Sequence, residues 1–306
     1  MKVKKVFITV VFSALAFFVY AGQPDSLKAI GETINGKKTG AWQYFRSDGS
    51  LSFQCNYADD LLNGNYKSFF QDGKLALEGN YQGGKELGIF ISYHHNGNIA
   101  ANKNYDYGIL YGKSEEFYDD GKPYREEYYK EYSRVGVWKQ WYENGQLNWT
   151  ATYKNGRQTG NYLAFYANGN IKEEGEYEND TRIGKWIYYN ENGSTQQLRF
   201  YKGGMLTGIN TVYYPNGKAK EETRYIDNEK EGFYYLYNES GQLIINGNYQ
   251  KDLVNGEWQE FYDSGIKKSK GYYVKGQKAG RWTYYNESGK ITEKKKYNLN
   301  PKQAAW

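Results

Sequence analysis

Glycine returns every 24 residues along this chain, from Gly40, Gly64 and Gly88 through Gly160 to Gly280, eleven times without a miss. With each of these anchors as position zero of a unit, a second glycine stands at nine (Gly49 to Gly289). A tyrosine stands at seventeen (Tyr57 to Tyr297) and an aromatic ring at five (Phe45, Phe69, Tyr93 and onward to Tyr285). A fixed period of this length is the mark of a tandem array, in which no unit buries its apolar face alone and each packs on its neighbours.

The unit reads as two strands. In the copy that begins at Gly136, about six residues rich in aromatics run to Glu143-Asn144-Gly145, and a second strand follows from Leu147 to Tyr153. The residue before the second glycine is Asp or Asn in eight copies and Ser in three. Asn-Gly and Asp-Gly between strand-like runs are the strongest short hairpin signal, because the turn needs a positive φ that a Cβ resists. Leu or Ile stands at position eleven in seven copies, such as Leu51, Ile99 and Leu243. Its parity matches the tyrosine at seventeen, so both are expected on one packed face, with Lys172, Glu174 and Glu176 on a wet one. A second turn of about six residues closes each unit. Its third residue is Gly, Asp or Asn except at Tyr132. Two strands per unit at about 4.8 Å each would extend eleven units over roughly 100 Å.

Which face carries the remaining rings depends on the loop. An x-Asn-Gly loop with a glycine bulge pairs positions six and ten. The aromatic at five then lies on the Leu/Tyr face, and the row at position two faces away. That geometry gathers all invariant positions on one side and is the expected one. A four-residue loop would reverse it and set Tyr66, Tyr162, Tyr234 and Trp258 across from Gly79, Gly175, Gly247 and Gly271, a large–small complement. The fourth unit departs most from the pattern, with Ser114 at two, Pro123 at eleven and Tyr132 in the turn.

The N-terminus reads as an export signal. Lys2, Lys4 and Lys5 precede an apolar stretch over residues 6–20, too short to span a bilayer comfortably, and Val19-Tyr20-Ala21 places cleavage after Ala21. Residues 1–21 are thus a signal peptide, 22–39 a degenerate half-repeat or cap, 40–297 the eleven units and 298–306 a C-terminal tail. The expected location is the periplasm, the cell envelope or the exterior, with no membrane-spanning segment after cleavage. Without the three signal lysines, 37 basic side chains stand against 35 acidic ones, a net of +2. Both signs are interspersed, with no basic stripe of the kind a nucleic acid requires. Cys55 is the only cysteine, so no intrachain disulfide forms.

Chemistry is hard to assemble from these residues. His94 and His95 are the only histidines. They are adjacent at a hairpin turn, where strand neighbours point to opposite faces, so no metal site is expected. No Ser-His-Asp or Cys-His set stands out, and the glycines recur as turn residues rather than in a phosphate loop. The expectation is a protein without catalytic residues, metal or cofactor. The one feature with binding promise is the row at position two: Trp42, Tyr66, Phe90, Trp138, Tyr162, Trp186, Tyr234, Trp258 and Trp282. Packing between hairpins accounts for such a row; exposed, it would form a ladder of rings suited to a strand, a glycan or a lipid surface.

The consensus is carried clearly by Gly184-Lys-Trp186-Ile-Tyr-Tyr189-Asn-Glu-Asn-Gly193 and by Gly256-Glu-Trp258-Gln-Glu-Phe261-Tyr262-Asp-Ser-Gly265. It resembles the MORN-repeat variant of bacterial proteins of the YwqK type, over residues 36 to 297. The resemblance implies an all-β fold, an elongated single-sheet array of eleven stacked 24-residue β-hairpins used for contacts with proteins or lipids. It also implies the antitoxin or immunity-like role attached to that type. The leading expectation is an exported scaffold that binds another protein, and the alternative is a cell-wall, glycan or lipid-surface module.

Overall fold

The computed structural model describes residues 27–304, and the expected signal peptide lies outside them. The described residues form 25 β-strands and one short 3-10 turn, Pro301–Ala304. The chain divides into two units, one ending at Asn98 and one beginning at Ile99. In each, successive strands pair antiparallel in sequence order as an open meander. The first begins with β1 (Lys28–Ile34) and β2 (Lys37–Phe45), which pair with each other. The second holds the longest regular run, including the strands Arg157–Phe165, Ile171–Glu178, Thr181–Tyr189 and Thr195–Lys202.

Two turns alternate. Inside each 24-residue unit the loop is the bulged one: the Tyr142 N–H donates to the Gln146 carbonyl at 2.8 Å and the Gly145 N–H to the Tyr142 carbonyl at 2.9 Å. Gly145 has φ +85°, which a Cβ would strain. Between units the turn is tighter than the six residues expected. Two central residues both have positive φ, as in Asn179 (49°) and Asp180 (67°), the type I′ geometry that matches strand twist. Tyr132 occupies such a position at φ 65° and is 74% exposed, a costly place for a ring-bearing residue.

The register corrects the expected faces. Positions six and ten pair as the bulged loop requires, and Trp141 stands opposite Leu147. The second strand then carries one extra residue, Asn148, before Gln140 pairs with Trp149. A β-bulge of this kind reverses the alternation beyond it. From there outward the pairing is that of the four-residue alternative: Tyr66 opposite Gly79, Tyr162 opposite Gly175, Tyr234 opposite Gly247 and Trp258 opposite Gly271. The ring at five therefore keeps company with Leu/Ile at eleven. The tyrosine at seventeen shares its face with position two instead.

The anchor glycine makes a second irregularity. Glu174 pairs with Ile187 and Glu176 with Ile183, so Gly184, at φ +64°, sits in a strand bulge that an L side chain would oppose. Side chains then stitch one 24-residue unit to the next along both rows of turns. The tyrosine at position six donates to a carbonyl in the following unit: Tyr142 to Phe165, Tyr166 to Tyr189 and Tyr262 to Tyr285, at 2.7–2.8 Å. Arg46 does the same to Phe69. On the other row, Asp180 Oδ1 accepts from the Gln158 N–H and Asp252 Oδ1 from the Lys230 N–H, each at 2.8 Å. Tyr166→Phe removes one such tie and leaves the ring; chemical denaturation should show a loss of about 0.5–1.5 kcal/mol.

Candidate binding surface

The bulge gives the sheet an inner and an outer face. On the inner face, position two alternates with the tyrosine at seventeen in a ring ladder, interrupted where position two is Ser114 or Asn210. In the second unit Tyr162 meets Tyr177 edge-on (centroids 5.7 Å), Tyr177 meets Trp186 (5.1 Å) and Trp186 meets Tyr201 (6.3 Å). The same series runs from Tyr234 through Tyr249, Trp258 and Tyr273 to Trp282. Each large ring lies flat on the residue at fifteen in the preceding hairpin. A Cβ added at Gly175 would fall inside the Trp186 ring. The same holds for Gly247 under Trp258, Gly271 under Trp282, Gly31 under Trp42 and Gly79 under Phe90. Tyrosines tolerate slightly more: Tyr66 pairs with Cys55, Tyr162 with Ala151 and Tyr234 with Thr223. Where fifteen is Lys103, its partner shrinks to Ser114. Trp138 breaks the size rule, with Glu127 before it, buried and held by Arg125 and Tyr129.

This places the candidate row. Trp42, Phe90, Trp138, Trp186, Trp258 and Trp282 are buried, Trp186 and Trp282 completely, and Tyr66, Tyr162 and Tyr234 are half-buried. The rings expected to face away from the tyrosines instead pack against them, because the bulge at position twelve turns the second strand over. They hold the units together and present no free row to a ligand.

The sequence reading missed a companion set. Two residues before every second anchor except Gly88, where Glu86 stands, is a cation that lies over these rings: Lys38 at 4.8 Å from the Trp42 centroid, Arg134 at 5.2 Å from Trp138, Arg182 at 4.1 Å from Trp186, Lys230 at 5.6 Å from Tyr234 and Lys278 at 4.0 Å from Trp282. Arg182 also donates to the Tyr188 hydroxyl at 2.7 Å and pairs with Glu173. A Lys or Arg four residues before a Trp or Tyr, at a doubled period of 48, was the available signal. These cations cap the rings.

The outer face carries positions one, three, five, fourteen and sixteen, and its character changes along the chain. In the fourth and fifth 24-residue units it is charged and paired: Lys113 bridges Glu115 (2.6 Å) and Glu126 (3.1 Å), and Lys139 reaches Glu126 at 3.2 Å. From the seventh to the ninth, apolar side chains share it with Lys185, Glu222 and Arg224. Ile187, Leu198, Phe200, Phe233 and Tyr235 are only half-buried and Ile209 is 46% exposed. Phe233 stacks on Tyr235 with centroids 5.0 Å apart. An open concavity of about 540 Å³ lies there, with Lys185, Ile187, Thr195, Leu198 and Tyr213 among its lining residues. Thr195 stands where most units carry Leu or Ile, and the shorter side chain leaves this space.

Titrating groups on both faces are structural. Burial pushes the phenols of Tyr162 and Tyr234 up to about 12. Burial, with Glu174 and Glu222 accepting from their hydroxyls, does the same for Tyr189 and Tyr237. A phenol whose folded value exceeds the unfolded one, about 10, stabilises the fold fully below that value. The stability is lost as pH rises through the folded value. Alkaline unfolding should therefore set in between about pH 10 and pH 12, with tyrosine ultraviolet absorbance and circular dichroism changing together. Ionisation of these four phenols near pH 10 in a fold that stays intact would contradict this.

Cys55 is a buried small residue beneath Tyr66. His95 sits in its hairpin turn, paired with Asp72 at 3.2 Å and edge-on to Phe70. Among the described residues no group of three His, Cys, Asp or Glu side chains could hold a metal ion, and no helix is long and apolar enough to cross a membrane.

The sequence profile described as MORN repeat variant matches eight segments, residues 62–82, 110–131, 134–155, 158–179, 182–202, 206–227, 254–275 and 278–299. No curated protein sequence matches the chain. Similar solved chains include the crystal structure of TcdB2-TccC3-Cdc42, at 12% identity with 81% of this chain and 16% of that chain covered and a TM-score of 0.18. The crystal structure of TcdB2-TccC3 gives 10% identity, 92% and 19% coverage and a TM-score of 0.19. The chain spans less than a fifth of either one.

Proposed function

Since the chain belongs to the MORN repeat variant family, we propose that it is a non-enzymatic scaffold that binds another protein through its outer sheet face. One observation carries this reading. The rings at positions two and seventeen are consumed on the inner face, while in the seventh to ninth units Ile187, Leu198, Ile209, Phe233 and Tyr235 are partly exposed on the other. Apolar side chains bordered by charge mark protein contact sites, and here Glu222 and Arg224 stand between Ile209 and the Phe233–Tyr235 pair. The glycan and lipid readings rest on the row at position two, of which six rings are buried and Tyr66, Tyr162 and Tyr234 half-buried. Export rests on residues 1–21. An antitoxin or immunity role toward a toxin met in the cell envelope is the narrower form of the proposal and rests on the YwqK-type consensus.

The test compares the protein with an Ile209→Lys/Phe233→Lys variant as bait in envelope extracts. Both positions are on the outer face and away from the ring ladder, so the variant should keep its circular dichroism. A protein captured reproducibly by the first and lost by the second supports the reading. No reproducible protein, or equal capture by both, overturns it.

A further inference from the structure

The two terminal strands of the described chain are guarded very differently. The last, Ile291–Asn298, carries a bulge at Thr292, where Tyr284 pairs with Glu293 and Tyr285 with Ile291. It carries three consecutive lysines, Lys294 to Lys296. The chain after it folds back, with Leu299 bridging Ala279 and accepting from the Gly280 N–H at 2.8 Å. Bulges and lysines are the usual means by which an open sheet edge resists another strand.

β1 has one lysine, Lys28, rather than a run of them, and among the described residues no chain folds back over it. All seven of its residues are exposed, and among the described residues it pairs only with β2. The irregularity between those strands lies wholly in β2: one residue of β1, Gly31, stands against three of β2 between the pairs Ile30–Gln43 and Glu32–Thr39. The outer edge of β1 is therefore straight. Its inner side is already fixed, since Gly31 lies under Trp42. Its outer side presents Lys28, Ile30, Glu32 and Ile34, with Ile30 53% and Ile34 57% exposed.

That side is self-complementary in one register. Antiparallel to a copy of itself about a two-fold axis through Ile30, β1 sets Ile30 against Ile30, Lys28 against Glu32 and Ala29 against Gly31. The neighbouring two-fold registers, centred on Ala29 or Gly31, set Lys28 or Glu32 against isoleucine. We infer that the β1 edge is a self-association surface, on which a second copy of this chain adds its own β1 in the Ile30-centred register. Backbone hydrogen bonds give the pairing its strength, and the cross-strand charge and isoleucine pairs choose the register. The inference does not depend on the outer-face partner proposed above.

Sedimentation velocity on the full protein across a concentration series tests it. A monomer–dimer equilibrium is expected, with a short interface giving weak association. Ile30→Lys puts like charges on the axis and should weaken it by roughly ten-fold or more. Lys28→Glu and Glu32→Lys should each weaken it alone, and an equimolar mixture of the two should restore it, because each then faces its opposite. Circular dichroism checks that each variant folds. A protein that stays monomeric throughout, as when its own upstream residues cover this edge, overturns the inference. So does a dimer that none of the three substitutions weakens.

Discussion

Trp186→Ala should cost about 3–5 kcal/mol, the range for deleting a buried indole, read as a shift in the urea or thermal midpoint. The ring is completely buried. It lies on Gly175, meets Tyr177 and Tyr201 edge-on, and is covered by Arg182 at 4.1 Å. Its Nε1 has no hydrogen-bond partner, so the loss is one of packing rather than of a polar contact. Nothing collapses easily into the gap, because the floor is backbone at a glycine and the walls are rings anchored in other strands. An array held together by nearest-neighbour contacts should lose local cooperativity there first. The matched control is an outer-face substitution such as Ile209→Ala, where a partly solvated site should cost far less. A cost below about 1 kcal/mol at Trp186 would mean that the ladder is not what joins the hairpins.

The strand count, the turn positions and the antiparallel order were legible because each rests on a local device repeated many times. Asn144-Gly145 can make little else than a tight hairpin, and the tyrosine at seventeen repeats whatever the neighbours are. The faces were not legible, and the reason is one residue. Alternation carries parity along a strand, and the bulge at position twelve, marked by a glycine or proline in no unit, resets it. That reset moved nine candidate rings from an imagined open row to the packed side. The contrast between the Gly175–Trp186 and Lys103–Ser114 pairs was in the sequence throughout. It links position fifteen of one unit to position two of the next, a spacing of eleven, whereas attention to pairs within a hairpin looks across thirteen. The alternating cations were hidden for the same reason, since Arg182 and Trp186 lie on opposite sides of an anchor glycine whose positive φ breaks the simple alternation. On the outer face the position of the open apolar stretch follows from substitutions such as Thr195 and Ile209 that look like noise against the consensus.

Gly271→Ala should destabilise the fold by about 1–3 kcal/mol, and toward the upper end, because the added methyl has nowhere to go. A Cβ there would overlap the Trp282 ring. The ring cannot tilt freely: it is completely buried, its Nε1 donates to the Tyr272 carbonyl at 3.1 Å, and Lys278 caps it at 4.0 Å. The decisive measurement is a double-mutant cycle with Trp282→Ser, which recreates the small residue that the chain itself places beside Lys103 as Ser114. Trp282→Ser alone is costly. In that background, however, the methyl at 271 enters the space the ring has left and should cost less than about 0.5 kcal/mol, leaving a coupling of about 1 kcal/mol or more between the two sites. Strict additivity would break the link between positions fifteen and two. It would return the glycine at 271 to a purely conformational role, which its backbone does not call for, since Gly271, unlike the anchor and turn glycines, is not among the residues with positive φ.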